Sequence, residues 1–140
     1  MRSRLTAFLL MLSLLGLASC TPAQEQSLFV RSENARDGVY VFPLGALDSL
    51  SSYDISIYGR AARKALNEPE LRVMWLSPDG QTFTETVYPP KIGLEGSRFE
   101  YRSGVSPARS GQWSLSIREC SGAEPLTGLG IIIKKSDGTR

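Results

Sequence analysis

Along most of this chain apolar and polar residues alternate one for one. Tyr53, Ile55 and Ile57 are interleaved with Asp54, Ser56 and Tyr58, the pattern of a strand with one buried face. Trp113, Leu115 and Ile117 alternate with Gln112, Ser114, Ser116 and Arg118, and Phe99 and Tyr101 alternate with Arg98, Glu100 and Arg102. Leu129, Ile131 and Ile133 close the series, and shorter β-forming runs lie at Leu28 to Val30 and Val39 to Phe42. Leu71 to Leu76 is apolar on both faces in its second half, which predicts a central strand. Ser77-Pro78-Asp79-Gly80 is the strongest turn: Pro presets φ, Asp bonds its own backbone and Gly supplies positive φ. It makes 71–88 a hairpin whose second strand sets Thr82, Thr84 and Thr86 on one face and Phe83 and Val87 on the other, before Pro89-Pro90 breaks it. Arg60 to Leu66, limited by Pro69, is the one stretch that could form a helical turn or two. Seven or eight short strands separated by Gly/Pro turns predict an all-β antiparallel sandwich, immunoglobulin-like or jelly-roll.

The first residues break this pattern. Arg2 and Arg4 precede an apolar run from Leu5 to Leu17, and Ala18, Ser19 and Cys20 follow. A basic start, a short apolar stretch and a small-residue exit make a secretory signal, and the run is too short to span a bilayer. Leu17-Ala18-Ser19-Cys20 resembles the lipobox of bacterial lipoproteins, in which the cysteine thiol takes a diacylglycerol and the new amine is acylated. Several acyl chains give durable anchoring where one does not. Thr21 in place of Asp favours an outer-membrane destination by the enteric rule. The chain thus divides into a signal over 1–19, a lipidated tether over 20–27, a sandwich domain over 28–136 and a polar tail over 137–140.

Charge and cysteine content follow from that division. Arg2 and Arg4 are the signal's only charges, and without them the 16 basic side chains fall to match the 14 acidic ones. A balanced chain without a basic cluster offers nucleic acid no electrostatic footprint. With Cys20 consumed by lipid, Cys120 stands alone at the end of a strand and reads as a small buried hydrophobe.

Candidate chemistry is sparse. The 140 residues include no histidine, which removes Ser-His-Asp and Cys-His nucleophiles and most catalytic zinc sites. Gly122, Gly128 and Gly130 are punctuated by Pro125 and lead into a strand, so they form no phosphate loop. Asp48, Asp54, Glu85, Glu100 and Glu119 alternate with apolar neighbours and read as a solvated sheet face, not as the carboxylate pair of a glycosidase. Asp79-Gly80 is a turn and not a calcium loop. No cofactor, metal site, catalytic residue or small-molecule ligand is expected. Tyr53, Tyr58, Trp75, Phe83, Tyr88, Phe99, Tyr101 and Trp113 would suit a sugar or peptide platform if several shared an exposed face; at strand spacing they read as core. Tyr58 and Tyr88 fall out of phase with their strands' apolar sets and are the candidates for partner contact.

Several stretches resemble the gliding-motility lipoprotein H (GldH) family of the Bacteroidota. Leu47-Asp48-Ser49-Leu50 with Tyr53 to Arg60 is similar to that family's early strand, and Leu76 to Gln81 with Thr86-Val87 to its Pro-x-Gly hairpin. Gly111 to Ile117 and Leu126 to Lys135 are similar to its last two strands. The chain departs from the family at Ala61 to Glu70, which replaces an aromatic Tyr-Pro-Tyr-type segment, and in a shorter loop at 89–98. The resemblance implies a non-enzymatic envelope lipoprotein of gliding or type IX secretion machinery that works by contact with an envelope protein. The alternative reading is a surface carbohydrate- or peptide-binding sandwich module.

Overall fold

The computed structural model describes residues 25–121 and 126–136. The lipid site expected at Cys20, the signal and the tail at 137–140 lie outside the described residues. Among the described residues ten strands are formed: β1 (Glu25–Arg31), β2 (Val39–Leu47), β3 (Ser52–Ala61), β4 (Leu66–Asn67), β5 (Leu71–Leu76), β6 (Thr82–Val87), β7 (Lys91–Ile92), β8 (Ser97–Val105), β9 (Gly111–Glu119) and β10 (Leu126–Ser136). Eight of them build two four-stranded antiparallel sheets, ordered β1-β10-β3-β8 and β2-β9-β5-β6, while β4 and β7 pair separately. Apart from the β5–β6 hairpin, successive long strands alternate between the sheets. That order is an eight-stranded jelly roll, which selects one of the two expected sandwiches.

Alternation supplies the core. The inward sets Tyr40, Phe42 and Leu44 of β2, Ile55 and Ile57 of β3, Leu115 and Ile117 of β9, and Leu129, Ile131 and Ile133 of β10 are buried between the sheets. β5 is an interior strand, flanked by β9 and β6. Its second apolar face, Met74 and Leu76, lies outward and is partly exposed. Pro43 sits on β2, an edge strand, where a missing N–H costs the ladder least.

Three expectations are corrected. The strand β1 starts at Glu25, three residues inside the stretch read as tether; Glu25, Gln26 and Ser27 pair with Lys134, Ile133 and Ile132 through backbone alone, so their exposed polar side chains hid the strand. Arg60 to Leu66 holds no helical turn: β3 continues through Ala61, which is buried and donates its N–H to Gly93, and Leu66 opens β4. Cys120 is only partly buried, its N–H bonded to the Glu70 carbonyl at 2.8 Å, because β9 ends one residue before it.

Gly128 and Gly130 lie beside β1, and the ring of Phe29 covers them and meets Tyr58 edge-on at 6.0 Å. A Cβ on Gly128 would come within 2.7 Å of the Val30 carbonyl oxygen, a backbone atom that cannot swing aside. Gly128→Ala is therefore expected to lower stability by about 1 to 3 kcal/mol through overpacking, measured as a lower midpoint in urea unfolding.

Candidate functional site

The two sheets do not close evenly. At one side β1 lies beside β2, but at the other the edge strands β6 and β8 leave a cleft of about 340 Å³. Its floor is Leu47, Tyr53, Ile55 and Trp113, its walls are Trp75 and Phe83, and its rim is formed by Thr84, Glu85, Arg102 and the 105–108 segment. That volume lies within the roughly 300–1,000 Å³ of small-ligand sites.

Irregularity in β8 opens and furnishes this cleft. The β3–β8 register slips twice, between Tyr53 and Ile55 and between Ile55 and Ser56. A bulge bends a strand and re-aims its side chains. Here Tyr101 and Arg102, neighbours that a regular strand would send to opposite faces, both reach Glu85. Asp54 holds the first slip, accepting the Gly104 N–H at 2.8 Å and the Ser103 hydroxyl at 3.2 Å. Gly104 has φ +61°, the left-handed region that glycine adopts without strain.

A polar chain clasps the sheets beside the cleft. The Trp75 indole N–H donates to the Tyr101 hydroxyl at 2.9 Å, and that hydroxyl donates to the Glu85 carboxylate. Arg102 completes an ion pair with Glu85 and lies over the Tyr101 ring, 5.1 Å from its centroid. Trp75 also stacks on Tyr101 and meets Trp113 edge-on. Burial of Tyr101, reinforced by its bond to Glu85, pushes its phenol up to about 12. The Trp113 N–H is spent on the Arg109 carbonyl at 2.9 Å. Both indole donors are thus satisfied within the protein, and the aromatic surface left to a ligand is apolar.

The structure distributes the expected contact residues differently. Tyr58 lies on the outer face of β3, packed against Phe29 and the Gly96 turn, and Tyr88 follows β6 in the other sheet, largely exposed. They do not form one site, and neither lines the cleft. Phe83, expected in the core with Val87, is 56% exposed on the edge strand β6, where it lines the open cleft. Glu85, expected on a solvated face, points into the interlayer space as the partner of Tyr101 and Arg102. Among the described residues no group of Asp, Glu, Cys or His is placed to hold a metal ion.

No family model and no curated protein matches the chain. Solved structures share the layered β architecture at low similarity. An infectious bursal disease virus Gx strain structure aligns at TM-score 0.41 and 11% identity over 86% of this chain, which spans 34% of the viral one. The CBM22-1 xylan-binding domain of Paenibacillus barcinonensis Xyn10C aligns at 0.38 and 11%, covering 82% of this chain and 96% of that domain. TmCBM61, solved with β-1,4-galactotriose, aligns at 0.33 and 13%, covering 83% and 88%.

Tyr101→Phe removes the acceptor of the Trp75 N–H and should destabilise the fold by about 1 to 3 kcal/mol. Because folding raises the Tyr101 pKa, the unfolded chain releases its proton first. This contribution is intact below pH 10 and is lost as pH rises through about 12. Denaturation midpoints across that window should fall in the wild type and fall less steeply in Tyr101→Phe, where Tyr40 keeps a phenol raised by burial.

Proposed function

We propose that this chain is a non-enzymatic binding module, tethered by lipid on Cys20 at the cell envelope, whose cleft receives an apolar side chain of a partner peptide segment. The carrying observation is the chemistry of the cleft: aromatic and aliphatic walls, indole donors already engaged, and one ion pair at the mouth. A sugar needs many hydrogen bonds and an open ring face to stack on; here Phe83 alone among the cleft's aromatics is largely exposed. A peptide brings its own backbone groups, and the cleft opens between two sheet edges, β6 and β8, where strand addition supplies their partners. The only carboxylate in the lining, Glu85, is tied to Tyr101 and Arg102, which supports binding over catalysis. The resemblance to the gliding-motility lipoprotein H family would make the partner an envelope protein.

Peptide and glycan arrays probed with the protein test this reading. Retention of peptides carrying a bulky apolar residue is the expected result, and retention of glycans alone would overturn it in favour of a carbohydrate-binding module. Phe83→Ser removes one exposed wall and none of the hydrogen-bonding groups of the clasp. It should weaken the selected peptide by about tenfold or more while leaving the melting curve in place, as titration calorimetry beside thermal unfolding would show.

A further inference from the structure

The strands run so that one end of the sandwich gathers the start of β1, the end of β10 and three loops: 48–51, 77–81 and 106–110. The loops are tied together. The Ser49 N–H donates to the Ser110 hydroxyl at 2.8 Å, Arg109 pairs with Asp79 at 3.5 Å, and Pro78 packs against Gly111. Within loop 48–51 the Asp48 carboxylate accepts the Leu50 N–H at 2.9 Å and the Ser51 hydroxyl at 3.2 Å. That bonding holds Leu50 outward at the tip, 91% exposed.

A lone exposed leucine is ordinary on a protein surface. Its position is what matters here. Four residues separate Cys20 from Glu25, so the chain between them reaches at most about 18 Å. The sandwich is longer, since the ten residues of β3 span about 30 Å at strand rise. A lipid on Cys20 therefore keeps the Glu25 end near the bilayer. Charge at that end is balanced, with Lys134, Lys135 and Arg109 against Glu25, Asp48 and Asp79, so it does not hold the end away from a bilayer surface. Asp48 is bonded in its own turn and Asp79 to Ser77 and Arg109, while Glu25 lies across from Lys134 in the ladder.

We propose that this end is a membrane-docking surface on which Leu50 enters the headgroup layer, fixing the sandwich upright over the lipid that holds it. The proposal rests on the lipid-anchored reading above. Leu47, Val105, Pro107 and Ala108 belong both to this end and to the cleft, so docking sets the cleft mouth beside the bilayer. Its ligand would then be a membrane-proximal segment of its partner.

The test uses the lipidated protein purified from membranes, with Cys120→Ser and an environment-sensitive fluorophore at Leu50→Cys or, at the opposite end, at Lys64→Cys. Each is placed on phosphatidylethanolamine/phosphatidylglycerol vesicles carrying nitroxide-labelled lipid. A parallel pair replaces residues 1–20 by a histidine tag bound to nickel-chelating lipid, so docking is measured whether or not Cys20 is modified. The mass of the N-terminal peptide reports lipidation separately. A blue shift at position 50, with quenching about twofold or more above that at position 64, is expected in both formats. Equal responses at the two positions, no response at 50, or a response at 64 alone would overturn docking, even where the mass confirms the lipid.

Discussion

Contact between the layers is the constraint on which this structure depends. Backbone pairing runs within each sheet, so the two are joined by side chains and by the loops that cross between them. Over most of the area the joint is dry, made by Phe42, Ile55, Ile57, Leu115, Ile117, Leu129 and Ile131. Such contact is non-directional and favours closure everywhere. Toward β6 and β8 it gives way to directed bonds, Trp75 to Tyr101 to Glu85, with Arg102 alongside. Directed bonds fix a spacing, and at that spacing the cleft stays open. Cleft and clasp are thus one feature: a region where packing yields to hydrogen bonding.

The same residues protect the edges. A strand at the border of a sheet exposes a row of unpaired groups that invites another chain. Charges turned inward and bulges are common ways to blunt it. Glu85 on β6 and Arg102 on β8 are inward charges, and β8 is bulged beside them. Specific partner strands can still be accommodated, provided that they bring a side chain to fill the cleft.

Much of the fold was legible in the chain because antiparallel strands with one wet face declare themselves by alternation. The hairpin around Ser77 to Gly80 could be read from turn chemistry alone, and the structure shows why: Gly80 has φ +84° and Ser77 bonds Gln81. The start of β1 was hidden because an edge strand paired through its backbone need not display an apolar face. The cleft was hidden for a deeper reason. Tyr53, Trp75, Phe83 and Trp113 are in phase with their strands and look like core; only the sheet order reveals that the layers part above them. Phase alone marks Tyr58 instead, which Phe29 of β1 meets edge-on outside the cleft. Tyr101 and Arg102 could not be assigned to one face from a period-two pattern, since the bulge between them suspends it.

One further consequence follows from the register of β1. Its seven residues pair in sequence from Glu25–Lys134 to Arg31–Gly128, and the strand's outer side is free. A pull applied at Glu25 along the strand axis strains these pairings together in shear, and does not peel them one after another. Tension arriving through the N-terminal segment is therefore shared across the whole β1–β10 ladder. The entry strand, peripheral in the fold, is arranged as its mechanical fastening.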